Sequence, residues 1–175
     1  LAKKLTATEL NKLKTSLNKK KNEYIKTNDG EEYEVAVSVE FRDSLIENVA
    51  MSYIGYLQEL RETSKNDQLD NELIKGTLKL VPVLAFREFT NIPVPKKATL
   101  KEIIGLSELL ADKGITEALL SKFPAGEYQK IVNKIKQAAK SAKATVGEIM
   151  LANALNQDGD DNGFQQSDGS NETTG

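Results

Sequence analysis

Asp158, Asp160 and Asn162, followed by Gly163, set oxygen-bearing side chains at positions one, three and five and a glycine at six. An EF-hand loop opens around calcium with this spacing. The twelfth position should supply a bidentate glutamate, but it is Gly169, and no helix pattern follows through Gly175. Half a loop leaves the ion's shell incomplete, so no calcium site and no other metal site is expected. Asn171-Glu172-Thr173 spells a glycosylation sequon, which has no use in a chain not routed for secretion. The sequence contains no histidine and no cysteine. That removes the commonest general base and metal ligand, every Ser-His or Cys-His nucleophile, and any disulfide framework. No glycine-rich phosphate loop or dinucleotide fingerprint is present. The carboxylate pair Glu31/Glu32 falls at a turn and on an exposed strand face. A non-enzymatic protein without cofactor or small-molecule substrate is the expectation.

Lysines supply the remaining chemistry. Lys12, Lys14, Lys19, Lys20 and Lys21, with Lys3, Lys4 and Lys26 nearby, give residues 1–26 a net charge of +6. A second set, Lys130, Lys134, Lys136, Lys140 and Lys143, decorates the last helical segment. Such faces could neutralise phosphates, and Lys12, Lys14, Lys19, Lys20, Lys21, Lys136, Lys140 and Lys143 are the candidate nucleic-acid contacts. Neither set contains an arginine for bidentate contacts or interleaved aromatics for base stacking, so nucleic-acid binding is the alternative reading.

The elements that would position these groups are mostly helical. Thr6-Ala7-Thr8-Glu9 reads as a capping box, and Leu10, Leu13 and Leu17 follow at i, i+3 and i+7 as a thin apolar seam. A seam this narrow barely offsets helix nucleation, so the helix must dock on something. Asn28-Asp29-Gly30 is a strong turn signal. Beyond it Tyr33, Val35, Val37, Val39 and Phe41 alternate with Glu32, Glu34, Ala36, Ser38 and Glu40, which predicts a half-buried strand paired with residues 24–27. Ser44-Leu45-Ile46-Glu47 opens a second helix, with Leu45, Ile46, Val49, Tyr53, Tyr56, Leu57 and Leu60 on one face. A loop is expected at 62–70. A third helix follows over 69–89, bent at Pro82 and apolar nearly all round, hence central and buried. Thr99 and Glu102 cap a fourth helix that ends at Lys113-Gly114. Shorter helical patterns follow at 116–123 and from Tyr128, and Val146, Ile149, Met150 and Leu155 form a separate apolar patch.

The organisation expected is one mainly α domain of about five or six helices. Residues 1–23 form a basic N-terminal helix, and 24–155 a helical core with a β-ribbon at 24–41. Residues 156–175 form a disordered acidic tail. All 24 Lys and Arg precede residue 156, so the body carries +3 and the tail −5. No apolar run approaches the roughly 20 residues a bilayer requires, so no membrane contact is expected. Leu1-Ala2-Lys3-Lys4-Leu5 lacks the apolar core of a signal peptide, and a processed or partial chain in the cytoplasm is expected.

Protein contacts then account best for the remaining features. Leu10, Leu13 and Leu17 on the basic helix, with Tyr33, Val35, Val37 and Val39 on the ribbon, are the candidate surface for a protein partner or self-association. Equally, helix and ribbon could pack back onto their own core. Val39-Glu40-Phe41-Arg42-Asp43-Ser44-Leu45-Ile46, Phe86-Arg87-Glu88-Phe89-Thr90-Asn91-Ile92-Pro93 and Leu109-Leu110-Ala111-Asp112-Lys113-Gly114-Ile115 resemble segments of small structural-module proteins of tailed bacteriophages of Gram-positive hosts. Among these the chain is most similar to the helical tail-assembly chaperones. That resemblance implies a cytoplasmic or virion protein that coats the tape-measure protein until the tail tube grows, with no catalytic residues. Ile92-Pro93 and Leu100-Lys101-Glu102-Ile103 also resemble antitermination factors of the NusB type, which implies RNA and ribosomal-protein contacts.

Overall fold

The computed structural model describes residues 3–63 and 77–141. Six helices and one hairpin lie among them: α1 (Ala7–Leu17), β1 (Lys20–Lys26), β2 (Glu32–Ser38), α2 (Asp43–Thr63), α3 (Leu80–Phe89), α4 (Leu100–Asp112), α5 (Ile115–Leu120) and α6 (Glu127–Ser141). The mainly helical fold with an N-terminal ribbon is as expected. The acidic tail, the half calcium loop, the sequon and the apolar patch at 146–155 lie outside the described residues.

Helix α3 is the centre of the packing. Leu80, Val81, Val83, Leu84, Ala85, Phe86 and Phe89 are all buried, because its sequence offers no polar face until Arg87. It lies against α2, α4 and α5, while α6 packs against α2. Pro82 stands in the first turn of α3, where its missing N–H is tolerated. Thr77 and Leu78 before it are helical with a turn at Lys79, and most of the first half of the expected long helix lies outside the described residues. The Ser107 hydroxyl, on α4, donates to the Lys79 carbonyl at 2.7 Å and so satisfies the backbone where α3 begins. Arg87 and Glu88, almost fully buried, pair at 3.0 Å, and the guanidinium also donates to Ser52 Oγ at 2.7 Å.

The ribbon is longer than its sequence suggested. β1 pairs antiparallel with β2 from Lys20↔Ser38 to Lys26↔Glu32. The expected helix over 1–23 therefore stops at Leu17, and Lys20 and Lys21 belong to a strand. Ile25, Val35 and Val37 point into the core, and Phe41, just past the strand, stacks on Phe89 with ring centres 3.7 Å apart. Phe123 meets Phe41 edge-on at 4.9 Å, a geometry that places ring edges against π faces. The Phe41 N–H donates to Glu127 Oε2 at 3.0 Å, which ties the ribbon's exit to the start of α6.

The hairpin turn is clipped to the end of α4. The Asn28 N–H donates to the Lys113 carbonyl and its side-chain amide to the Asp112 carbonyl, both at 3.0 Å. These bonds satisfy two carbonyls that a helix C-terminus leaves free. Asp29 pairs with Lys113 at 2.9 Å. Its carboxyl is held down to about 2, from an ordinary 3.8, first by the Thr27 hydroxyl and then by the Lys113 ammonium. Lys113 is raised above 10.5 by the same partner. The charged clip should thus be complete between pH 3.8 and 10.5. It is lost as pH falls through about 2, and again as pH rises past the raised lysine value. An NMR titration should show the Asp29 carboxyl midpoint near 2 and the Asn28 amide shift moving with it. A midpoint near 3.8 would mean that the clip is absent in solution.

Candidate protein-binding surface

Helix α1 is built by its own sequence and by little else. The Thr6 hydroxyl accepts the Glu9 N–H at 3.3 Å, the first half of the expected capping box. The second half is replaced, because the Glu9 carboxylate turns outward to Lys12 at 3.1 Å. At the far end the Asn18 side chain donates to the Lys14 carbonyl at 2.9 Å. None of the residues of α1 is buried. Leu10 and Leu13 are each 52% exposed and Leu17 37%, and Leu5 ahead of them is exposed as well. The sequence demanded a partner for this seam, and among the described residues the body does not provide one.

The ribbon residues divide. Tyr33 and Val39 are exposed, so they remain available at the surface. Val35 and Val37 are buried against the core and contribute to stability, not to docking. The alternation signalled one covered face correctly, but the cover is the chain's own helices. Nor is β2 an open edge along its length. Val37 bridges to Thr90, and the Ala36 N–H donates to Asn91 Oδ1 at 2.9 Å, so the end of α3 occupies part of that edge. Tyr24, on the outer face of β1, Met51 on α2 and Leu109 on α4 are exposed apolar groups that periodicity alone did not single out. Tyr24 was detectable once β1 was recognised as a strand, since it alternates with buried Ile25.

The candidate phosphate contacts do not share one helix face. Lys12 pairs with Glu9, and Lys21 pairs with Glu23 at 2.7 Å. Lys20 donates to the Thr90 carbonyl at 3.3 Å. Lys21 first, and Lys122 with it, hold the Glu23 carboxyl below its ordinary value. Lys14, in the last turn of α1, and Lys19, just past its end, are exposed. On α6, Lys130 is drawn to Glu127 at 2.7 Å and Lys134 to Glu47 at 3.5 Å. Lys136 lies on the same helix, the Lys140 side chain falls outside what is described, and so does Lys143. Among the candidates, Lys12 and Lys21 are thus ion-paired at exposed positions. No helix among the described residues is long and apolar enough to cross a membrane.

No match is found among curated proteins, and none among solved structures. A family model does match, that of YomO, over residues 7–163. Its limits take in α1 at one end and the apolar patch at 146–155 at the other. The name is typical of Bacillus phage and prophage proteins. With nearly the whole chain inside the match, this protein belongs to the YomO family, a phage-associated one.

Proposed function

We propose that this is a non-enzymatic assembly or adaptor protein of a phage, of the tail-assembly-chaperone type, that acts by presenting α1 to another protein. One observation carries the reading. A complete, capped helix stands on the surface, and its leucine seam has no cover among the described residues. An 11-residue helix is marginal in water by itself, so a seam kept apolar at three successive contact positions is suited to a partner surface. Surrounding lysines favour an acidic partner and would speed encounter. Self-association and a host-cytoplasmic or virion location belong to the same proposal. The phage association of the family supports it.

The test is Leu10→Asp with Leu13→Asp in a phage that encodes the protein. Finished particles should fall by about tenfold or more, as when the central residues of an interface are lost, while phage DNA synthesis continues. Normal particle yield would refute the proposal. Light scattering of the purified full chain with an oligonucleotide should show no shift in mass at low salt. A shift that high salt abolishes would favour the lysine reading instead.

A further inference from the structure

We propose that the leucine seam of α1 is covered, until a partner displaces it, by the chain's own segment 146–155 and the acids behind it. This rests on the reading of α1 as the docking element and adds how that element is regulated. Three observations converge. The seam of Leu10, Leu13 and Leu17 has no cover among the described residues. Outside the described body the sequence holds an apolar set with helical spacing, Val146, Ile149 and Met150 at i, i+3 and i+4, followed by Leu155, and unlike Leu69, Leu73 and Ile74 it runs into a strongly acidic stretch. The charges are opposite, since residues 1–26 carry +6 while Glu148, Asp158, Asp160, Asp161, Asp168 and Glu172 make the terminal stretch acidic. The family match also runs from α1 through residue 163 and so includes both parts.

Reach does not limit the contact. Past Ser141 the chain has 34 more residues, each spanning up to about 3.3 Å, enough to bring the acids to any face of the body. A second copy of α1 is the competing occupant. Leu10, Leu13 and Leu17 do have the spacing of a short coiled-coil seam. Two copies, however, would bring two +6 segments together, and the terminal stretch brings the opposite sign. An apolar contact strengthened by diffuse charge is also reversible, as a cover that gives way to a partner must be.

Hydrogen exchange on the full chain tests this, with the full-chain variant Ile149→Asp/Met150→Asp as comparison and far-UV circular dichroism to confirm its fold. Amides of residues 10–17 should exchange about tenfold more slowly in the native sequence than in the variant, equally at two protein concentrations tenfold apart. Equal rates in the two proteins would overturn the proposal. Protection that grows with concentration would overturn it in favour of a second copy. The particle-yield test separates this idea from the reading beneath it. Slow exchange with normal particles for the Leu10/Leu13 variant leaves the cover and removes the assembly role. Fast exchange with lost particles does the reverse.

Discussion

Replacing Phe89 with alanine should lower global stability by about 3–5 kcal/mol, a large share of what a domain of this size possesses. Phe89 is fully buried at the end of α3, and its ring lies flat against Phe41, which itself meets Phe123 edge-on. Its loss would remove transfer energy and leave a cavity between ribbon and helices that α3, held on three sides, cannot collapse to fill. Phe41 would then face a void, so the hairpin should loosen along with the core. Urea unfolding followed by circular dichroism would measure the loss. Leu13→Ala is the matched control. That side chain stands outside the core, and its removal should move the global midpoint by less than about 0.5 kcal/mol. Equal effects from the two substitutions would mean that α1 belongs to the core after all.

Gly114→Val should be nearly as damaging, at about 2–4 kcal/mol, for two separable reasons. Gly114 has φ +72°, in the left-handed region where a β-branched residue is strained. A Cβ at this position would also come within 2.3 Å of Asn28 Oδ1 and push out the amide that caps α4. A double-mutant cycle with Asn28→Gly distinguishes the two. Once Asn28 is gone the clash is absent, and the cost of Gly114→Val should fall to the backbone strain alone, with a coupling of about 1 kcal/mol or more. Strict additivity would show that the turn and the helix end are energetically independent.

Local chemistry was legible wherever neighbours in sequence decide the outcome. The Thr99–Glu102 capping box is present with both of its bonds, and Gly114 ends α4 as its position implied. The turn at Asn28-Asp29-Gly30 and the all-round apolar character of α3 also carried through. Features decided by distant residues were harder to read. Residues 20–26 hold only Tyr24 and Ile25 as apolar side chains among charged ones, a composition that suits a solvated helix equally well. Pairing with β2, and the approach of Lys122 to Glu23 at 3.6 Å, decide for a strand. Val35 and Val37 illustrate the limit at the candidate site. Alternation reveals that a face is covered without revealing by what, whereas the thin seam of Leu10, Leu13 and Leu17 was readable because no helix could enclose it.

The bridge between Val37 and Thr90 joins positions more than fifty residues apart, and this sets an order of events during synthesis. The hairpin is local and can pair as soon as its strands leave the ribosome. The segment that guards its outer strand arrives only once the chain has been made through Asn91. Translating at ordinary speeds of ~5–20 residues per second, the ribosome leaves β2 with an unguarded edge for some seconds. Stalled nascent chains ending before Thr90 should therefore associate with one another more readily than chains extended through α6. Variants at Asn91 should reduce soluble yield in cells more than they reduce the stability of the finished protein.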